Sequence, residues 1–318
     1  MDENLALDFV RVTEAAAMAS ARWVGKGDKN AADGAAVKLM RKTFDSLHID
    51  GTVVIGEGER DKAPMLFIGE KVGKGSGTKV DIAVDPLECT NSVAFGRPNA
   101  IAVLSACPSG GMLHAPDTYM NKIAVGPKAY GKVSLDATVE QNIHSVAKAL
   151  DKQVKDVTVM ILARDRHVSL IEEVRKVGAR VLLISDGDVS GAIAPSIKES
   201  GVDILLGIGA APEGVLAASA LACLGGYMEG RLHFRNEEEK QRATKMGIKD
   251  LNALLKIEDL VNADNCMFAA TGVTDGPFLK GTRFTKKGAT TYSIVMRSKS
   301  KTVRFLETRH VFEDEPVY

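Results

Sequence analysis

From residue 136 onward the chain alternates between two hydrophobic periods, and this alternation narrows its possible folds more than any other feature. Asp136 can cap a helix whose apolar positions Val139, Ile143, Val146 and Leu150 keep helical spacing. Aliphatic runs follow at 157–163 (VTVMILA), 179–185 (ARVLLIS) and 203–208 (DILLGI), with a helical pattern between each pair. Strand–helix–strand order implies right-handed crossovers and an α/β architecture around a largely parallel sheet. Ligands of such sheets gather beyond the carboxyl ends of the strands. Those ends read ARDRH (163–167), SDGD (185–188) and GIGAAPEG (207–214), all polar or glycine-bearing.

The first part of the chain is organised differently. Residues 3–24 and 29–48 suit two helices, the second capped by Asp28 or Asn30. TVVIGEGERD (52–61) is a short β-branched strand running into a glycine-spaced acidic loop, and KVDIAVD (79–85) and AIAVLSA (100–106) are two more strands. The tail returns to strands, with NCMFAATGVTDGP (265–277) ending in an Asp-Gly turn and residues 290–312 reading as a hairpin around Ser298–Lys301. We therefore expect a metal-binding α+β half over 1–135 and an α/β half over 136–318, packed closely and not stable apart.

Charge narrows the partners. Lys+Arg and Asp+Glu both number 41, so no basic face is available for nucleic acid or an anionic membrane, and a bound anion needs a local cluster of cations. The start, MDENLALDFV, lacks the basic residues and apolar run of a signal peptide, and no apolar stretch approaches 18 residues. Cys89, Cys107, Cys223 and Cys266 are too widely spaced for a zinc knuckle or a CxxC pair. A reduced, cytoplasmic protein is expected, with any metal bound through oxygen.

The strand at 79–85 ends in D-P-L-E-C-T (85–90), an abrupt acid-Pro-apolar-acid corner. Other carboxylates stand near strand ends at Asp33, Glu57, Glu59 and Asp61. Two ionised carboxylates about 4 Å apart repel by roughly 4 kcal/mol at an effective dielectric of 20, so such a cluster is splayed into water, partly protonated or neutralised by cations. Carboxylates with a backbone carbonyl, and without sulfur or imidazole, select a hard cation such as Mg²⁺ or Mn²⁺. Any one of these acids taken singly reads as a solvated loop residue. Their conjunction favours a metal site, most strongly at Asp85 and Glu88, next at Asp33 and Glu57, and least at Glu59 and Asp61.

DPLECT resembles the DP-apolar-acid-Gly-Thr motif of the metal-dependent, lithium-sensitive sugar and inositol phosphatases. With GDKNAADGAAV, GEGERDKAPML, HAPDTYMNKIAVGP, ARDRH, SDGD, APEGVLAA and TGVTDG in order along the chain, the sequence is similar to class II fructose-1,6-bisphosphatases, the bacterial type. The resemblance implies a layered αβαβα sandwich, and divalent metal (Mn²⁺ or Mg²⁺) on Asp33, Glu57, Asp85, Glu88 and Glu213. It also implies sugar-phosphate contacts at Glu88, Cys89, Thr90, Tyr119, Arg164, Asp165, Arg166, Asp186, Gly187, Asp188 and Ala210. The implied reaction is hydrolysis of the 1-phosphate of fructose 1,6-bisphosphate to fructose 6-phosphate in gluconeogenesis, by a homodimer or homotetramer. Thr90 would orient the attacking water, and Asp33, Glu57 or Asp61 would accept its proton.

Several of these residues have structural readings as well. Arg164 and Arg166 can grip phosphate or flank a helix start on the surface. Asp188 can bind sugar or cap a helix, Lys29 can bind phosphate or pair with Asp33, and Tyr119 can be core. GKGSGTK (73–79) lacks the order of a phosphate loop and reads as a flexible hairpin connection. Cys89 and Ala210 stand where the family is expected to have glycine. At Cys89 we expect ordinary φ and a thiol acting as small filler. A sedoheptulose bisphosphatase, an inositol monophosphatase or a sugar-phosphate sensor would share the acidic corner and differ at these positions or in turnover.

Overall fold

The computed structural model describes residues 5–58 and 65–312. It opens on helices α1 (Leu5–Ala21) and α2 (Lys29–Phe44). α1 is buried almost all round from Val12 to Ser20, which its run of alanines permits. Its buried polar groups are satisfied, with Thr13 Oγ1 lying 2.8 Å from Thr271 Oγ1 and Glu14 Oε1 accepting a 3.0 Å bond from the Thr291 hydroxyl. Asp28, rather than Asn30, caps α2 by accepting from the Ala31 N–H at 2.9 Å.

Then come β1 (Ile49–Ile55), β2 (Lys71–Val72), β3 (Thr78–Glu88), the short α3 (Thr90–Ala94) and β4 (Ile101–Pro108). β2 lies antiparallel and β3 parallel to β1, on its two sides, so GKGSGTK crosses the end of β1 and is no hairpin loop. The crossing is tight. Gly77 has φ +98°, and a Cβ there would lie 2.3 Å from the His48 carbonyl oxygen. β3 runs on through Pro86 instead of breaking at it. Its register with β4 slips by one residue between Asp85 and Glu88, a bulge that accommodates the missing proline N–H.

The middle of the chain builds β5 (Tyr119–Val125), α4 (Val139–Leu150), β6 (Thr158–Leu162), α5 (Val168–Val177), β7 (Arg180–Ile184), α6 (Asp188–Ile193) and β8 (Ile204–Ala210). α7 (Ala211–Leu224), β9 (Tyr227–His233), α8 (Glu237–Lys245), β10 (Leu255–Lys256) and α9 (Ile257–Leu260) follow. The sheet order is β10-β9-β5-β8-β6-β7. The expected parallel sheet is only half of it: β6 is parallel to β7 and β8, while β5 is antiparallel to β8 and β9. α4 is capped by a Thr138–Gln141 capping box rather than by Asp136. α6 is entered through Gly187, left-handed at φ 101°, so Asp188 is the first helical residue and not its cap.

Residues 267–311 give β11 (Met267–Gly272), β12 (Arg283–Thr285), β13 (Gly288–Arg297) and β14 (Thr302–Val311), the last two forming the expected hairpin. They complete the sheet begun by β1–β4, in the order β12-β13-β11-β4-β3-β1-β2 with β14 on β13. Contacts therefore group the described residues up to Met112 with those from Asp264 on, and Leu113–Ala263 as a second unit. This grouping differs from a single boundary at residue 135. Each unit has its own apolar core, one around Phe9, Phe44, Ile82 and Leu104, the other around Ile123, Ile143, Val159 and Leu206. The architecture is mixed α/β with two mixed sheets. Among the described residues no helix is long and apolar enough to cross a membrane.

Candidate active site

Parallel pairing builds the acidic corner of the first unit. Ile55 of β1 is opposite Ala83 of β3, so chain continuation by two residues sets Glu57 beside Asp85. The glycine before Glu57 is required, because a Cβ on Gly56 would lie 2.0 Å from the Leu66 carbonyl oxygen, the group that accepts the Glu57 N–H at 3.0 Å. Asp33 comes from α2. All three carboxylates are half-buried. Burial, then the charges of Glu57 and Asp33, push Asp85 up to about 8, against a small opposing effect from the Leu87 N–H that donates to its Oδ1 at 3.2 Å. Burial, then Asp33, pushes Glu57 up to about 7, and burial raises Asp33.

Among the described residues, the charges perturbing Asp85 and Glu57 are others of this trio, and no described ammonium or guanidinium group offsets their repulsion. At neutral pH the cluster calls for protons or for a cation. Oxygen-only donors of this kind fit a hard divalent ion. Among the described residues no three His, Cys, Asp or Glu side chains are already drawn tightly enough to hold one, so the carboxylates are gathered but splayed. Buried Glu88 closes β3 at the same corner. Glu59 and Asp61 lie outside the described residues. Lys29 is exposed and burial, with no effect from Lys29, raises Asp33, so of the two readings of Lys29 the pairing with Asp33 does not form.

Thr90 is the first residue of α3 and is half-exposed. It is delivered by Cys89, which has φ 72° and ψ 50°. The expectation of ordinary φ at Cys89 is overturned. The chain must reverse there between the bulged end of β3 and α3, and the left-handed conformation achieves this at a strain of about 1 kcal/mol for a residue bearing a Cβ.

In the second unit the sheet register brings several expected residues together. Tyr119 at the start of β5 is opposite Ala210 of β8 and His233 of β9. Two guanidinium groups approach its ring, Arg166 at 4.7 Å and Arg235 at 4.9 Å from the ring centroid. Arg166 also donates from Nε and Nη2 to the Ile208 carbonyl, at 3.1 and 2.7 Å. Arg164 is joined to Asp186 at 2.6 Å and donates to the Ser185 carbonyl. Asp165 is exposed at the first position of the 3₁₀ turn that precedes α5. Asp188 is buried and ion-paired with Lys122, which also donates to the Ala210 carbonyl at 2.9 Å. Glu213 occupies the first turn of α7, where a carboxylate is favoured by the helix dipole.

A profile described as bacterial fructose-1,6-bisphosphatase, glpX-encoded, matches residues 3–310. The chain belongs to that family of phosphoric monoester hydrolases. It is 47% identical over 329 residues to a Haemophilus influenzae protein named fructose-1,6-bisphosphatase class 2, a match covering 99% of this chain and 98% of the relative. It is 45% identical over 335 residues to a Synechococcus sp. (strain JA-3-3Ab) protein named D-fructose 1,6-bisphosphatase class 2/sedoheptulose 1,7-bisphosphatase, covering 98% and 96%.

Within this bisphosphatase family the two expected glycines have different standing here. Ala210 has φ −70°, which any residue adopts, whereas Cys89 holds the left-handed geometry that glycine takes without strain. Four residues of the second unit escaped sequence reading. Lys122 shares a strand face with Met120 and Ala124, and a charge on an apolar stripe was its signal. Glu239 follows Asn236 by three, a helix-start spacing, and it accepts from Thr118 Oγ1 at 2.6 Å, from the Arg235 N–H at 2.8 Å and from the Arg235 side chain. Arg235 itself carries no such signal. His167 sits in ARDRH. Its Nδ1–H donates to the Leu162 carbonyl at 2.7 Å and its Nε2 accepts from the Ile208 N–H at 2.8 Å, which fixes the neutral tautomer. Burial holds its pKa low.

Proposed function

We propose that this chain hydrolyses the 1-phosphate of fructose 1,6-bisphosphate to fructose 6-phosphate and phosphate in gluconeogenesis, as a divalent-metal-dependent cytoplasmic enzyme acting as a homodimer or homotetramer. The carrying observation is the Asp33–Glu57–Asp85 cluster, three half-buried carboxylates whose repulsion no side-chain cation among the described residues offsets. With Glu88 these residues would hold Mn²⁺ or Mg²⁺. Such an ion, when bound, acidifies water and neutralises charge on the transferring phosphoryl group.

The chain's own groups do the rest. The Thr90 hydroxyl, presented at the start of α3, orients the attacking water by a hydrogen bond. A carboxylate of the corner, Asp33 or Glu57, accepts the proton that the water loses. In the second unit Arg166 and Tyr119 present a cationic, aromatic surface to a sugar phosphate, and the Arg164 guanidinium retains donors beyond those given to Asp186 and Ser185. Asp188 is buried and committed to Lys122, so Gly187 and the more exposed Asp186, held by Arg164, are the members of SDGD better placed to meet a ligand.

The name of the Synechococcus relative adds sedoheptulose 1,7-bisphosphate as a second candidate substrate. The deciding assay strips metal from the pure protein, restores Mn²⁺ or Mg²⁺, and follows phosphate release from fructose 1,6-bisphosphate, sedoheptulose 1,7-bisphosphate and inositol 1-phosphate. Metal-dependent release from the first, with Thr90→Ala lowering kcat at least 100-fold and leaving substrate Kd within about threefold, is the expected result (100-fold being about 2.7 kcal/mol of barrier). Release without metal, or full turnover in Thr90→Ala, would refute the assignment.

A further inference from the structure

The first unit's sheet ends on β14, whose outer edge pairs with no other described strand. Exposed edges are usually blunted by proline, bulges, short length or charged side chains. β14 has no proline and no bulge, keeps an unshifted register with β13 over ten residue pairs, and carries charges of both signs at Arg304, Glu307 and Arg309. The Phe312 N–H donates to the Lys287 carbonyl at 2.8 Å, which fixes the pleat. Even-numbered residues of β14 therefore turn their backbone groups to β13, and odd-numbered residues turn theirs to the open edge. The odd residues Val303, Phe305, Glu307, Arg309 and Val311 are also the exposed face of the strand. Phe305 is 64% and Val311 78% exposed, the two most exposed large apolar residues of the described chain.

We propose that β14 is a self-pairing edge, and that two copies of this chain join their sheets antiparallel about a two-fold axis at Thr308. The partner is set by the pattern of the strand. When a strand pairs antiparallel with its own copy, residue numbers of opposed pairs sum to a constant. Centring on Glu307 or Arg309 opposes like charges, and centring on Leu306 opposes Phe305 to Glu307. Centring on Thr308 opposes Glu307 to Arg309 of the second copy twice, and Phe305 to Val311 of the second copy twice. Each of these four pairs has its backbone groups on the open edge, so the junction forms about eight hydrogen bonds. Within one chain Glu307 and Arg309 are already ion-paired at 3.6 Å, so the pairing extends an existing charge alternation rather than creating one. This names the surface for the oligomer of the preceding section and rests on that reading.

The test uses sedimentation velocity on the full chain. Wild type is expected as a dimer or larger assembly. Glu307→Arg, which opposes Arg to Arg across the axis, is expected to halve the mass, and the charge swap Glu307→Arg with Arg309→Glu to restore it. Thr308→Cys sits at a non-hydrogen-bonded pair with Cα atoms about 4.5 Å apart, within disulfide range, and is expected to cross-link on mild oxidation while Thr302→Cys does not. Circular dichroism melting confirms that each variant is folded. Undiminished mass in Glu307→Arg with no cross-link at residue 308 overturns the β14 junction and leaves an oligomer through another surface. A monomeric wild type at tens of micromolar overturns both.

Discussion

Replacing Lys122 by Met should cost the second unit more stability than any other single change of similar size. Lys122 and Asp188 are 1% and 5% exposed, and the ammonium also holds the Ala210 carbonyl where β8 meets α7. Removing one partner of a buried ion pair leaves the other charged and unpaired, at a cost of about 3–5 kcal/mol. At about 2–4 °C per kcal/mol for a unit of this size, melting should fall by roughly 6–20 °C. Differential scanning calorimetry gives the shift, and hydrogen exchange should locate the loosening at β5 and α6. The companion variant Lys122→Met with Asp188→Leu removes both charges and should regain most of the lost stability. A drop under about 1 kcal/mol in the single variant, or no recovery in the double, would refute the account of this pair as a buried, mutually dependent unit.

Asp85 and Glu57 have folded-state pKa values raised above their unfolded ones, so the stability they contribute is complete below about pH 4 and is lost as pH rises through about 7 and 8. In chelator, melting temperature should fall between pH 6 and 9. Asp85→Asn should flatten that slope, and Mn²⁺ or Mg²⁺ should stabilise more at pH 8.5 than at pH 6; a pH-independent melting temperature for the metal-free wild type would count against the cluster. At Cys89 a glycine relieves the left-handed strain that alanine retains, so Cys89→Gly should be about 1 kcal/mol more stable than Cys89→Ala in urea unfolding, and the reverse order would deny the strain. Glu239→Gln weakens the hold on Arg235 and Thr118 on either side of Tyr119, so KM should rise about tenfold, about 1.4 kcal/mol, with kcat within twofold, and an unchanged KM would remove Tyr119 from substrate binding.

The acidic corner was readable in the sequence because each carboxylate follows a strand or lies on a helix whose apolar pattern is strong, and parallel strands deliver their ends to one place. The φ of Cys89 was not readable. A single dihedral has no periodic signal, and a cysteine obscures the conformation that a glycine would have announced. β5 and β9 were missed for another reason: Lys122 and Glu229 interrupt their apolar alternation, and only tertiary ion pairs and hydrogen bonds make those charges tolerable inside a sheet. Thr138 caps α4 through its Thr-x-x-Gln spacing, and the nearby Asp136, an equally good cap by residue type, leaves the local sequence ambiguous between the two. Arg164 and Arg166 follow β6 as the sequence suggests, but the Ser185 and Ile208 carbonyls that they meet come from the 185–186 turn and β8, which no local pattern foretells.

The discontinuity of the first unit bears on how the chain is made. β4 is apolar along almost its whole length, and its second neighbour, β11, aligns Gly272 with Ile101. At 5–20 residues per second a ribosome needs roughly 10–30 s to traverse the intervening stretch. Closing a loop of that length costs about 4–5 kcal/mol of chain entropy. Throughout that interval a nascent chain carries β4 as an open, aggregation-prone edge, while Leu113–Ala263, contiguous in sequence, can collapse at once. Expression yield should therefore respond to synthesis rate and chaperone supply through the time that one strand waits for its neighbour.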